Sequence, residues 1–221
     1  MHADGRLTFR PRPAAGRRLD RGDTPLGLET SERDGVIYVP ETAERNAPPI
    51  VFLHGATGTG RRELRAVLAA ADRYGAVIVA PDSRGVSWDV IGGGFGPDVV
   101  FIDRVLDMVA DRCDVDMSRA AIGGISDGAS YALSLGVING DLFTAIIAFS
   151  PGFVVASTTN GRPRIFVSHG TADPILPIDA TSRRLVPELQ SAGYDVTFRE
   201  FEGGHTVPPE VADEGFAWWV R

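Results

Sequence analysis

Short apolar runs alternate with longer stretches of helical spacing along most of this chain. Residues 36–39 form a β-branched and aromatic run, and residues 49–54 form an apolar run that ends in glycines. Leu64, Val67, Leu68 and Ala71 mark an amphipathic helix over 61–74, and the continuous apolar run 76–80 predicts a strand covered on both faces. A glycine-rich loop follows at 83–97. Asp98 then stands as the N-cap of a helix reaching Cys113, with Ile102, Val105, Leu106 and Val109 facing inward. Strands are predicted at 119–125, 144–149, 164–168 and 196–201, and helices at 127–138, 178–192 and 208–220. This alternation predicts an α/β fold: a mostly parallel central sheet with helices on both faces, and chemistry at the carboxyl ends of its strands.

The first 33 residues break the pattern. They are rich in Pro, Gly and Arg and read as a basic arm with one or two edge strands, ahead of a domain at 34–221. Residues 1–21 hold six arginines against Asp4 and Asp20, so the remainder is strongly acidic within a net charge of −7. That balance argues against nucleic acid or an anionic membrane as partner. All 22 basic residues are arginine, which excludes Schiff-base chemistry and a phosphate-loop lysine. No apolar run approaches the length of a membrane span, and the arm lacks the apolar centre of a leader peptide. Read as a whole chain, this predicts a cytoplasmic protein. Cys113, the single cysteine, allows neither an internal disulfide nor a multi-cysteine metal site, and its place on a helix suggests core. Nothing in the sequence sets the oligomeric state, a homodimer included.

The candidate chemistry centres on Gly124-Ile125-Ser126-Asp127-Gly128, between a predicted strand and a predicted helix. A strand that turns sharply into a helix presents its middle residue outward. The flanking positions must then be glycine, because a Cβ would collide with neighbouring elements. The helix also aims its first amides at the space beside Ser126. A serine nucleophile needs a base. Of four histidines, His2 lies in the arm, and His54 and His169 each end a strand. His205 sits in a glycine-flanked loop between the last strand and the last helix, which makes it the candidate base. Asp173, stiffened by Pro174 just past a strand end, is the candidate orienting acid, with Asp179 and Asp141 behind it. The plain alternatives are a helix N-cap, a surface-loop histidine and an Asp-Pro turn.

Four blocks stand in order: Leu53-His54-Gly55-Ala56, the Gly124–Gly128 motif, His169-Gly170-Thr171-Ala172-Asp173-Pro174-Ile175-Leu176-Pro177, and Gly203-Gly204-His205. On these blocks the chain resembles the α/β-hydrolase superfamily over residues 36–211. It is most similar to the small carboxylesterase/phospholipase group that includes acyl-protein thioesterases, and also to polyhydroxybutyrate-depolymerase-like esterases. The resemblance implies an α/β-hydrolase fold with no lid domain and a serine carboxylesterase acting on small or short-acyl esters without a cofactor or metal. Carried over, Ser126 is the nucleophile, His205 the base, Asp173 its orienter, and the amides of Ala56 and Asp127 the oxyanion donors. Thioesterases of the group usually carry glutamine at the place of Asp127 and a bulkier apolar residue at that of Ala56. Both departures weigh against thioester and protein substrates; a thioesterase, a lysophospholipase and a polyester-oligomer esterase remain alternatives on the same site.

The glycines Gly55, Gly58 and Gly60, with Asp82 about twenty residues on, also admit a dinucleotide-binding βαβ unit, although their spacing departs from that fingerprint. A non-catalytic binding module is the third class. Trp88, Phe95, Phe153, Ile175, Leu176 and Val207 are candidates for lining a substrate cleft, with ordinary packing as the alternative. Gly92, Gly93 and Gly94 leave their loop free to order on binding. The adjacent Trp218 and Trp219 turn one ring to the sheet and the other to a partner or the arm.

Overall fold

The computed structural model describes residues 4–12, 20–29 and 33–221. His2, and Arg17 and Arg18 of the basic arm, lie outside the described residues. Eight strands make one sheet: β1 (Gly22–Pro25), β2 (Gly35–Val39), β3 (Pro49–Leu53), β4 (Val77–Pro81), β5 (Ala121–Ile125), β6 (Ala145–Phe149), β7 (Arg164–Gly170) and β8 (Val196–Phe201). Their spatial order is β1-β2-β4-β3-β5-β6-β7-β8. β1 and β2 are antiparallel to their neighbours and the other pairings are parallel. The helices are α1 (Gly60–Glu63), α2 (Leu68–Tyr74), α3 (Pro97–Arg112), α4 (Asp127–Ile138), α5 (Ser182–Ser191) and α6 (Pro209–Val220).

Every residue of β3, β4 and β6 is buried, as their unbroken apolar runs require. Successive side chains alternate between two cores. Val51, Leu53, Val79, Ile122, Ile146 and Val167 pack with α3, α4 and α5. Ile50, Phe52, Ile78, Ala121, Ile147 and Phe166 pack with α2 and α6. Trp219 is buried edge-on to Phe216, and Trp218 lies against Phe166 with the Arg164 guanidinium 4.7 Å from its ring centre. Trp219 is thus the ring turned into the core, and Trp218 stays half-buried.

Three predicted helices are cut differently. The stretch 61–74 breaks into α1, a 3-10 turn at Leu64–Ala66 and α2. The break falls at Val67, whose fully buried side chain sits on non-helical backbone (φ −125°, ψ 0°). Packing outweighs helical spacing there. The stretch 178–192 is a 3-10 turn at Ile178–Ala180 followed by α5. Asp98 does not cap α3. Gly96 holds the cap position with Pro97 in the first turn, and Asp98 turns inward. Its carboxylate accepts the amides of Arg84 and of Asp89, the latter at 2.7 Å. Asp89 in turn accepts Gly96 N, Asp98 N and the hydroxyl of Tyr131. The base of the glycine-rich loop is therefore pinned, while its tip at Gly92, Gly93 and Gly94 stands clear of neighbours.

The described part of the N-terminal segment is tied to α3. Leu7, Phe9 and Leu26 are buried in the first core. Asp103 accepts Thr8 N (2.9 Å) and Phe9 N (2.8 Å), and Asp107 and Asp111 take the two arms of Arg12. Arg6 grips Asp141 with both nitrogens. The acidic stripe of α3, spaced by one helical turn, meets the basic arm.

The feature that positions the site is the turn from β5 into α4. A Cβ at Gly128 would lie 2.2 Å from the Leu53 carbonyl oxygen and 2.6 Å from that of His54. One at Gly124 would lie 2.5 Å from the Leu53 oxygen. Backbone therefore crosses backbone between β5–α4 and the end of β3. Gly128→Ala should cost at least about 3 kcal/mol in urea unfolding, whereas Gly92→Ala, at a position with open space, should stay within about 0.5 kcal/mol.

Burial pushes the Asp98 carboxyl up to about 6, against the hydrogen bonds it accepts. The folded chain thus holds this proton more tightly than the unfolded chain, so this group's contribution to stability falls as pH rises from about 4 to 6. Unfolding of Asp98→Asn and the native chain at pH 7 and at pH 4.5 should show the native chain gaining on the variant at the lower pH, by about 2 kcal/mol.

Candidate active site

Ser126 stands between β5 and α4 at φ 58°, ψ −122°, a conformation a side-chain-bearing residue adopts only under constraint. Its amide donates to the Phe149 carbonyl (2.9 Å), which extends the β5–β6 ladder past the strand ends. Ser130 donates to the Ser126 carbonyl through both its amide and its hydroxyl. Of the four side-chain-bearing residues described at positive φ, Thr57, Ser126 and Ser150 follow β3, β5 and β6. The strained backbone thus collects on the carboxyl edge of the sheet.

The loop after β3 comes up beside the serine. A Cβ on Gly55 would lie 3.4 Å from that of Ser126. Ala56 is exposed, and Thr57 N donates to Val86 O at 2.9 Å. Asp127 opens α4, so its amide lies in the first turn, where no intrahelical acceptor exists. Its carboxylate accepts the Ser87 hydroxyl at 2.6 Å. Two backbone segments therefore converge on the serine, from the end of β3 and from the start of α4.

His205 and Asp173 meet two strands away. His205 Nδ1 lies 2.6 Å from Asp173 Oδ2. The loops that carry them are locked together: Ala172 N donates to Gly203 O (2.9 Å), and a Cβ on Gly170 would sit 2.3 Å from the Gly204 carbonyl oxygen. The Asp173 side chain is fully buried, while that of His205 keeps 17% of its surface. Burial alone would raise the Asp173 carboxyl. The amides of Leu176 and Ile175 and the His205 ring outweigh it and hold the carboxyl below its usual range. Asp173 is accordingly an ionised acceptor for His205 Nδ1–H.

The other candidates separate cleanly. Asp141 is taken by Arg6, and Asp179 is 81% exposed and paired with Arg183. Cys113 is buried, which pushes its thiol up to about 12. His54 is fully buried, and burial lowers its pKa. It donates from Nδ1 to Gly55 O and accepts Ser83 N at Nε2. Asp82, the ribose acceptor of the dinucleotide reading, is buried and accepts Gly60 N at 2.6 Å, so its carboxylate is spent on the chain's own backbone.

Trp88 departs from its expected place in the cleft wall. It is 1% exposed, stacked on Tyr131 with centroids 5.2 Å apart, and bonded to the His54 carbonyl. The indole serves as a floor under the loop after β3. Phe95 tilts against Tyr131, and Phe153 packs partly on the first core. Val207 packs partly on the second core. Ile175 is 65% exposed beside Asp173, and Leu176 lies against Gly152.

Two contributors escaped the sequence reading. Arg33 reaches the loops after β3 and β4, donating to Ser83 Oγ (2.8 Å) and to Gly58 O (3.3 Å); no local pattern marks it. His169 contacts Asp173, and its four-residue spacing from that aspartate was a usable signal. Among the described residues no cluster of His, Cys, Asp or Glu is arranged to hold a metal, and no helix is long and apolar enough to cross a membrane.

Comparison with known proteins agrees with this layout. The phospholipase/carboxylesterase family description matches residues 101–213, just over half of the chain. Feruloyl esterase C of Emericella nidulans is 29% identical over 113 residues, covering 51% of this chain and 41% of its own. Acetylxylan esterase A of the same organism is 29% identical over 143 residues, covering 59% and 44%. The chain spans about half the length of the curated relatives it matches. The S-formylglutathione hydrolase of Staphylococcus aureus superposes with a TM-score of 0.73 at 15% identity, over 93% of this chain and all of the other, which is a likeness of fold. With the family match running over β5 to β8 and the serine at the β5–α4 turn, the chain belongs to the phospholipase/carboxylesterase family of α/β-hydrolases.

Proposed function

We propose that the chain is a serine carboxylesterase that works through a Ser126–His205–Asp173 triad and an acyl-enzyme. The observation that carries this reading is a strained serine at the β5–α4 turn on the same sheet edge as an imidazole already anchored to a buried carboxylate at 2.6 Å. Asp173 holds Nδ1–H, so Nε2 is the ring atom left to take the serine proton. Ser126 Oγ attacks the ester carbonyl as His205 Nε2 removes its proton. The oxyanion forms where the Ala56 and Asp127 amides converge. The protonated ring then releases its proton to the leaving alcohol, and water repeats the cycle on the acyl-enzyme.

The substrate reading is a small or short-acyl ester. The names of the curated relatives support acetyl and feruloyl groups as the first acyl candidates. Val86, 72% exposed on the loop that meets Thr57, and Ile175, 65% exposed beside Asp173, supply apolar surface at the rim. The Asp127 carboxylate beside the oxyanion position favours uncharged acyl groups over anionic ones.

A p-nitrophenyl ester series from acetyl to palmitoyl, with methyl ferulate alongside, tests the reading. Turnover should be greatest for acyl chains of about two to six carbons or for ferulate, and Ser126→Ala should lower kcat by about 10⁴- to 10⁶-fold while the unfolding midpoint holds. A loss of less than about tenfold would remove Ser126 from the mechanism.

A further inference from the structure

Asp173 carries a second imidazole. His169, near the end of β7, is fully buried, and its Nε2 lies 3.1 Å from Asp173 Oδ2 and 2.8 Å from the Leu176 carbonyl oxygen. Both neighbours are acceptors, so Nε2 bears the proton. Across the ring, Nδ1 lies 2.7 Å from the hydroxyl of Ser182, the first residue of α5, which is itself fully buried. An unprotonated Nδ1 accepts that hydroxyl. The tautomer is thus set from within the fold. Oδ1 of Asp173 takes the amides of Ile175 and Leu176 at 2.9 Å each, and Oδ2 takes His205 Nδ1 at 2.6 Å with His169 Nε2 beside it at 3.1 Å. Burial keeps His169 below its ordinary pKa, hence neutral. An apolar side chain would fill this space without the desolvation cost of two ring nitrogens.

We propose that His169, held in its Nε2–H tautomer by Ser182, is a positioning residue for the reaction: it orients the Asp173 carboxylate and, through it, turns the His205 ring toward Ser126. The inference rests on the esterase reading above. His169 touches no reacting atom. It acts on the direction of the Asp173–His205 bond, so its effect belongs in kcat rather than in substrate binding.

The test compares the full chain with His169→Phe, His169→Gln and Ser182→Ala. Glutamine can place a donor near Nε2; phenylalanine fills the volume without one. Two rates are read beside the unfolding midpoint: hydrolysis of p-nitrophenyl acetate, and phosphorylation of Ser126 by diethyl p-nitrophenyl phosphate. In His169→Phe, kcat should fall about 10- to 100-fold with KM within about twofold, and phosphorylation should slow in parallel. His169→Gln should return to within about fivefold of the native rate, and Ser182→Ala, which frees the other tautomer, should fall between them. A folded His169→Phe within about threefold of the native kcat overturns the proposal, as does a folded His169→Gln as slow as His169→Phe. Should His169→Phe not fold, Ser182→Ala with native kcat overturns it instead. Native chain that is neither phosphorylated at Ser126 nor slowed by Ser126→Ala overturns the esterase reading and the proposal together. Native chain that is phosphorylated, with unaffected variants, overturns the proposal alone.

Discussion

The crossing of α4 over the end of β3 leaves no room for a side chain, and the site is a consequence of that contact. With Gly128 against the Leu53 and His54 carbonyls, the chain leaving β5 has one way to enter a helix whose residues from Gly128 to Ile138 are all buried. That route holds Ser126 at positive φ. It also brings the first turn of α4 beside the loop at Gly55, so the strained serine and the two backbone segments around it share one origin. The strain is sustained because the surrounding ladder continues past the strands, from Ser126 to Phe149 and from Ser150 to Ser168.

A second constraint operates at the far side of the sheet. A buried carboxylate must find donors or become neutral. Asp173 finds two amides from its own turn and the His205 imidazole, with His169 Nε2 3.1 Å away, and the turn that supplies the amides is locked to the His205 loop through Gly170 and Gly203. Satisfying the carboxylate and placing the imidazole are therefore one structural problem. It is solved by local bonds plus one contact between the loops after β7 and β8.

The strands and the parallel order were legible because continuous apolar runs have few other uses. The run at 76–80 lies within one residue of β4, and 196–201 coincides with β8. Helix interruptions were not legible. At Val67 the spacing remains helical, and only the packed environment of that side chain decides against it. Asp98 misled for a related reason: its residue type marks a cap, but the Arg84 and Asp89 amides of the loop just before it claim its carboxylate. Trp88 reads as a loop aromatic until the His54 carbonyl and Tyr131 place it under the loop. Each miss turns on tertiary surroundings that residue type and spacing do not record, while the glycine and histidine blocks were informative because their geometry is local.

Burial then sorts the three described histidines. His54, His169 and His205 all stand at the carboxyl edge of the sheet, and each has a partner at Nδ1. His54 and His169 are sealed, and desolvation keeps them neutral, so neither can pass a proton to a substrate. They act as fixed donors and acceptors, one shaping the loop after β3 and the other bonded to Ser182 and the Leu176 carbonyl beside Asp173. His205 alone keeps part of its ring surface open, with its Nδ1 anchored and its Nε2 uncommitted to that anchor. General-base chemistry requires both conditions together: an oriented ring and an accessible nitrogen. The same side chain is thus sealed twice and left open once, and the difference lies in how deeply each strand end is covered.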